Sequence, residues 1–315
     1  MLLVVITMLL SSILFVIPNS RADEVSTNLG TQAENYADEI MKVHLEEVKK
    51  AQEGKKIFET ILKDSGIKAK YGSEEYWKKL IELADPAGEL RKQDPEKWEK
   101  IYEYAYEYSL KYGKKTTKDK QEDKDGSIGT KSTTPFPGGG GGAYNRDGAV
   151  NYAYTYVYNY NKAYHKFSAD CTNFVSQCLK EGGGIPMVDE WWNGYWDSDD
   201  WFYYRNGSDD YDSKNDDSWS WSWVKVESLY EHLTNRGIGQ VVPSVDNLEI
   251  GDIIQMDFGP DGVYDHSMIV TKVERTATKT KIYLTYHTED KKDVPLSDLK
   301  AKYPKAQFRY IHIIY

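Results

Sequence analysis

Cysteine is scarce in this 315-residue chain, which contains only Cys171 and Cys178. Both fall in one segment whose apolar residues have helical spacing, and a helix rises ~1.5 Å per residue, which separates the two cysteines by roughly 10 Å. A disulfide needs Cα atoms within about 7 Å of each other. The sequence therefore predicts two free thiols, with Cys178 in the core and Cys171 at the exposed start of the helix.

The chain also lacks a basic excess, since its net charge is −10. Without a positive field it has nothing to attract a phosphate backbone, which excludes a nucleic-acid partner. The two cysteines do not have zinc-ligand spacing, and the acidic stretch 189–217 lacks the order of an EF-hand loop. We predict no cofactor and no metal site, and we interpret 189–217 as a solvated acidic loop, with a calcium site as the alternative.

Long apolar runs are absent except at the beginning, where residues 1–17 carry no charge. This length is typical of the core of a signal peptide, and Ser20-Arg-Ala22 provides a small-x-small cleavage site. No basic residue precedes the run, which departs from the usual pattern. We predict that residues 1–22 are a signal peptide and that the mature protein is secreted or cell-wall associated, without stable membrane association. An uncleaved membrane anchor is the alternative.

The rest of the chain divides into three parts by composition. Residues 23–112 are highly charged and helical in spacing, with Ser73 and Pro95 at predicted helix starts. Residues 113–143 combine a lysine-rich stretch with five consecutive glycines, a composition that favours a flexible linker. Residues 144–315 place helical segments before segments of strand character, which indicates an α+β domain.

Cys171 opens the predicted helix, between Asp170 or Ser168 as a candidate N-cap and the glycines at 182–184. Partial positive charge at a helix N-terminus favours thiolate over thiol, which makes a cysteine nucleophilic. Such a cysteine also needs a base and a group that orients the base. His266 begins one predicted strand and His287 ends the next, so both would meet at one edge of an antiparallel pair. The spacing predicts Cys171, His266 and His287 as a catalytic set.

Four segments resemble the bacterial putative amidase domain family, which is similar to the NlpC/P60 and CHAP cysteine hydrolases with a papain-like arrangement. They are Tyr144-Asn-Arg-Asp-Gly-Ala-Val-Asn-Tyr-Ala, Asp170-Cys-Thr-Asn-Phe-Val-Ser-Gln-Cys-Leu with Gly182-Gly-Gly184, Gly251-Asp-Ile-Ile-Gln, and Asp265-His-Ser-Met-Ile-Val-Thr. The resemblance covers residues 144–315, and the acidic stretch 189–217 is expanded relative to the family. It implies a papain-like, NlpC/P60-type domain, with the nucleophile helix packed on an antiparallel sheet. It also implies a nucleophile at Cys171, a base at His266 and a third polar residue at His287.

The predicted function is that of an exported, cysteine-dependent amide hydrolase. The Cys171 thiolate would attack an amide carbonyl, and His266 would pass a proton to the leaving amine. Export and the resemblance together make the peptide of cell-wall peptidoglycan the predicted substrate. The chain also contains 26 Tyr and 9 Trp. A non-catalytic protein that binds the cell wall or a glycan through this aromatic-rich surface is therefore the alternative.

Overall fold

The computed structural model describes residues 27–113, 143–190, 194–205 and 217–315. The predicted signal peptide, nearly all of the predicted linker and part of the acidic stretch lie outside these residues. In chain order, the helices and strands are α1 (Thr27–Asp64), α2 (Glu74–Leu83), α3 (Glu89–Gln93), α4 (Pro95–Tyr108), α5 (Arg146–Tyr156), α6 (Cys171–Gln177), β1 (Tyr203–Tyr204), β2 (Ser218–Trp219), α7 (Trp221–Val224), α8 (Val226–Asn235), β3 (Gly239–Val241), β4 (Ile253–Asp257), β5 (His266–Arg275), β6 (Thr280–Tyr286), β7 (Lys291–Pro295), α9 (Leu296–Lys302) and β8 (Gln307–Ile313). Single π-helical turns extend α4 (Ser109–Gly113) and α6 (Cys178–Gly182), and a 3-10 turn covers Val245–Asn247.

The N-terminal helical region is organised by the crossing of α1 and α4. The two helices approach so closely that a Cβ atom at Gly54 would stand 1.8 Å from the carbonyl oxygen of Lys100. Glycine is therefore the residue that allows this approach. Phe58, one turn further along α1, is fully buried in the core that the crossing creates.

Most of the predicted local structure is confirmed. The Ser73 hydroxyl accepts a hydrogen bond from a first-turn amide of α2, and Pro95 is the first residue of α4. The tyrosine-rich segment after residue 144, whose alternation also imitates a strand, forms the helix α5. The cysteine helix is α6, and its π-helical turn carries it to Gly182. Both cysteines are free and Cys178 is buried, as predicted, but Cys171 is buried as well, so its predicted exposure is wrong.

The second half of the chain is built on a six-stranded antiparallel sheet with the strand order β3-β8-β4-β5-β6-β7. On one face, Ile253 and Ile269 pack with α5 and α6 in one hydrophobic cluster. On the other face, Met256 and Met268 pack with Leu299 of α9 in a second cluster. Helices combined with an antiparallel sheet make this an α+β domain, as predicted.

Close contacts fix α6 over the sheet. A Cβ at Gly148 of α5 would stand 2.2 Å from the carbonyl oxygen of Gly182, so the start of α5 lies directly on the end of the α6 segment. Arg146, the first residue of α5, donates to the Asp252 carboxylate at 2.6 Å and to the Ile313 carbonyl at 2.5 Å. The helix layer is thereby tied to β8 and to the beginning of β4.

The helical region and the sheet domain share one hydrophobic cluster. The Tyr195 hydroxyl donates to the Ile81 carbonyl at 2.8 Å, and Trp219 Nε1 donates to Tyr102 Oη at 3.2 Å. Within the described residues, the two parts therefore pack as one structure. No helix in these ranges combines the length and the apolar character needed to cross a membrane.

Candidate active site

Cys171 is the first residue of α6 and lies against β5. It is 3% exposed, and its thiol faces the backbone amide of Ser267 and the Thr172 hydroxyl. Burial raises the pKa of the Cys171 thiol to about 11, and these two donors offset only part of the rise. The cysteine is thus a neutral thiol in this conformation, although the sequence predicts a thiolate at this helix start.

His287 follows β6 and is held from both edges and both faces of its ring. Its Nδ1 is 2.6 Å from Asp170 Oδ2, and its Nε2 is 3.0 Å from the Tyr156 carbonyl oxygen. The ring stacks on Phe174 of α6 at 3.9 Å between centroids and on Tyr160 at 4.1 Å. These contacts place His287 in the layer that covers the sheet, beside the start of α6.

The pairing of β5 with β6 explains this position. The last pair at this end of the ladder joins Ile269 to Thr285. Two residues further in antiparallel register, His287 comes beside Ser267, whose amide faces the Cys171 thiol. Residues two apart along a strand share a face of the sheet. Cys171, Ser267 and His287 therefore lie together on the helix-covered face.

The Asp170 side chain faces His287 and does not cap α6. Asp170 occupies the predicted N-cap position, but its side chain makes no cap hydrogen bond, so the predicted side-chain cap is wrong. Its Oδ1 accepts from the Phe167 amide at 2.9 Å and from the Asn173 side-chain amide at 2.9 Å, while Oδ2 faces His287. The carboxylate is thus buried and fixed by three partners. Local sequence patterns do not reveal the Asp170–His287 contact, because 117 residues separate the two.

His266 points to the other face of the sheet. Its ring lies 5.0 Å from Tyr286 in an edge-to-face contact and 6.2 Å from Phe258, in the second hydrophobic cluster. Its Nε2 is buried without a hydrogen-bond partner among the described residues, and burial lowers its pKa to about 3. The structure does not bring His266 to Cys171, because successive side chains of β5 point to opposite faces of the sheet. Ser267 lies on the helix-covered face and His266 on the other. The predicted catalytic set is divided between the two faces.

A comparison with protein families shows where this structure belongs. Residues 143–311 match the model of the family described as "Putative amidase domain". The chain belongs to this family. The match runs from just before α5 into β8, and so contains the cysteine helix, both histidines and the strands that carry them. The family description points to amide hydrolysis, and the helical region before residue 143 lies outside the match.

Two proteins of Bacillus subtilis (strain 168) are similar to this chain. "Uncharacterized protein YhbB" is 32% identical over 174 residues, which is 54% of this chain and 50% of that protein. "Uncharacterized protein YjcM" is 26% identical over 170 residues, which is 50% of this chain and 34% of that protein. The chain thus spans half or less of the length of these relatives. No solved structure gives a significant match.

The other histidines of the amidase domain have contacts of a structural kind. His165 and His232 each stack on a tryptophan, and burial lowers the pKa of both to about 4. His312 Nδ1 is 2.8 Å from Asp252 Oδ2. In the part of the chain that the structure describes, no three His, Cys, Asp or Glu side chains are grouped as metal ligands.

Proposed function

We propose that the amidase domain is a cysteine-dependent amide hydrolase with Cys171 as its nucleophile. The observation that carries this proposal is the buried Asp170–His287 pair, joined at 2.6 Å beside the start of α6. A catalytic cysteine needs a base, and the base needs a partner that fixes its orientation. His287 and Asp170 supply these two groups on the Cys171 side of the sheet. We therefore assign the acid–base role to His287 in place of His266.

The reaction would be an acyl transfer in two steps. His287 takes the proton of the Cys171 thiol while the sulfur attacks the amide carbonyl carbon, and the backbone amide of Cys171, at the start of α6, would donate to the developing oxyanion. The carbon–nitrogen bond then breaks, and His287 gives the proton to the leaving amine. In the second step His287 takes a proton from water while the hydroxide attacks the thioester carbon. The carbon–sulfur bond then breaks, the acid product leaves, and His287 gives its proton to the Cys171 sulfur.

The described conformation is a closed state of this site. Cys171 is buried as a thiol, and the Nε2 of His287 faces the Tyr156 carbonyl. A carbonyl oxygen only accepts hydrogen bonds, so Nε2 carries a proton in this contact. Before His287 can act as the base, Nε2 must lose that proton to solvent and leave the carbonyl for the Cys171 sulfur. The connection 157–170 between α5 and α6 carries Tyr160, which covers the ring. We infer that this connection moves when a substrate binds, as covering segments do in many enzymes.

The substrate that we propose is an amide bond in the peptide of cell-wall peptidoglycan, hydrolysed outside the cell. The predicted signal peptide at residues 1–22 supports export. The resemblance to the papain-like NlpC/P60 and CHAP hydrolases supports the chemistry and the finer fold assignment. The order of the nucleophile helix α6 before the antiparallel strands β4, β5 and β6 agrees with that arrangement.

Digestion of purified peptidoglycan and of a panel of peptide amides, followed by mass spectrometry of the products, tests the proposal. Wild-type protein should release an amine and a carboxylic acid, and Cys171→Ala should lose this turnover without losing its fold. The burial of the Cys171 thiol favours one other candidate, a non-catalytic protein that binds the cell wall or a glycan. Wall binding by both proteins with no cleavage by either would support that candidate and reject the hydrolase.

A further inference from the structure

A cleft of 450 Å³ separates the helical region from the segment that leads into α6. Its volume lies within the range of small-ligand sites, roughly 300–1,000 Å³. The helical region contributes Glu47 of α1 and both Glu96 and Glu99 of α4 to the lining. The amidase domain contributes Lys166 and Phe167, among others.

The cleft ends beside the proposed nucleophile. Ser168 and Ala169 line it, and the chain continues directly into Asp170 and Cys171. The negative charge of Glu47, which lines the cleft, also raises the pKa of the Cys171 thiol. A group bound in the cleft would therefore lie next to an amide placed at Cys171.

The helical wall of the cleft is fixed to the amidase domain. Lys225, next to α7, is buried and donates to Glu103 at 2.7 Å and to Glu47 at 3.3 Å. Arg91 of α3 is buried, with its guanidinium 4.2 Å from the Trp219 ring centroid. Buried ion pairs and cation–π contacts of this kind hold partners in register. These contacts hold the helical wall against the amidase domain in this structure.

We propose that α1 and α4 form one wall of the substrate cleft of the amidase domain, so that the helical region determines which amides reach Cys171. This inference rests on the proposed function. Glu96 and Glu99 present carboxylates on that wall, with side chains 80% and 44% exposed. Their ion pairs with Lys100 at 2.8 Å and Lys50 at 2.7 Å are at the surface and contribute little energy, so a substrate group can replace them.

The wall thereby favours amides that carry a cationic group over amides that carry an anionic group. The double variant Glu96→Lys with Glu99→Lys reverses the charge of the wall. Glu107→Lys is the matched control, since Glu107 is an exposed residue of the same helix that does not line the cleft. The substrates are three peptide amides that differ only in carrying a cationic, neutral or anionic group beside the scissile bond.

The double variant should shift the ratio of kcat/KM for anionic over cationic amides by about tenfold or more, through KM rather than kcat. The Glu107→Lys control should keep the wild-type ratio. An equal ratio in the double variant, the control and the wild type would overturn the proposal.

A binding measurement separates this inference from the proposed function. Calorimetric titration of the same three amides into Cys171→Ala, with and without the double charge reversal, requires no turnover. If wild type cleaves none of the amides, the hydrolase proposal fails, while a charge-dependent shift in Kd still supports the cleft. The cleft proposal would be overturned if none of the three amides bound, or if their Kd values were the same with and without the charge reversal.

Discussion

The two faces of the sheet hold two histidine side chains, His266 and His287, in different surroundings. His266 and His287 lie at the same end of the β5–β6 pair, yet only His287 shares a face with Cys171. His287 contacts a carboxylate and a carbonyl oxygen. His266 contacts aromatic rings, and its Nε2 lacks a partner among the described residues. A difference of one position along a strand therefore decides whether a histidine is a candidate base or a core side chain.

The difference between the two histidines predicts its largest effect on the rate of catalysis. His287→Ala should lower kcat/KM by about 10²- to 10⁴-fold, because that is the usual contribution of a positioned acid–base group. His266→Phe should retain most of the activity, since it replaces one buried ring with another. The measurement is amine release from the amide that wild type cleaves best, with circular dichroism to confirm folding. A folded but inactive His266→Phe beside an active His287→Ala would return the acid–base role to His266.

Asp170 should have the next largest effect, as a positioning residue. Asp170→Asn keeps the size of the side chain but replaces the carboxylate oxygen that faces His287, so kcat should fall by about 10- to 100-fold with KM little changed. Asp170→Glu should recover part of the loss because it restores the carboxylate. Asp147→Asn, on the exposed first turn of α5, is the control. A fall in kcat of the same size in this control would remove the special role of Asp170.

The free energy of unfolding at low pH should depend on His266, which is buried on the other face of the sheet. Burial holds its pKa at about 3 in the folded protein, against about 6.5 in an unfolded chain. As pH falls below about 6.5, the unfolded chain takes up the proton and the folded chain does not, so stability is lost. His266 should contribute about 2 kcal/mol of this loss between pH 7 and pH 5. Urea unfolding of His266→Phe should show a smaller loss over that interval, and an unchanged loss would contradict the assignment.

The smallest expected effect is a difference in chemical reactivity between Cys171 and Cys178. Burial raises the pKa of Cys178 well above its ordinary value, and Cys171 is also a thiol. Cys171 lies two residues after Ala169, which lines the cleft, so local opening should expose it, whereas Cys178 should require unfolding. Iodoacetamide should therefore modify Cys171 faster than Cys178 in the native protein, as measured by peptide mass spectrometry. Equal rates in the native protein would speak against an accessible nucleophile, and equal rates after denaturation serve as the control.

The sequence predicted most of the fold because local signals were strong. Helical spacing, the cap at Ser73 and Pro95 located the main helices, and apolar segments located β4, β5, β6 and β8. The short elements β3, β7 and α9 escaped prediction, because they contain few apolar residues from which a period could be recognised. The buried ion pairs of Lys225 with Glu47 and Glu103 also escaped, because their partners lie more than 100 residues away.

By itself, the sequence determined the α+β class, two free cysteines on one helix, and the position of Cys171 at the start of that helix. Only the tertiary structure decided which histidine shares the Cys171 face of the sheet and that the Asp170 carboxylate contacts it. The first six residues of β5 are all buried, so alternation shows two faces without showing which one meets α6. That choice depends on the layer packed against each face, which is set by contacts between residues far apart in the chain.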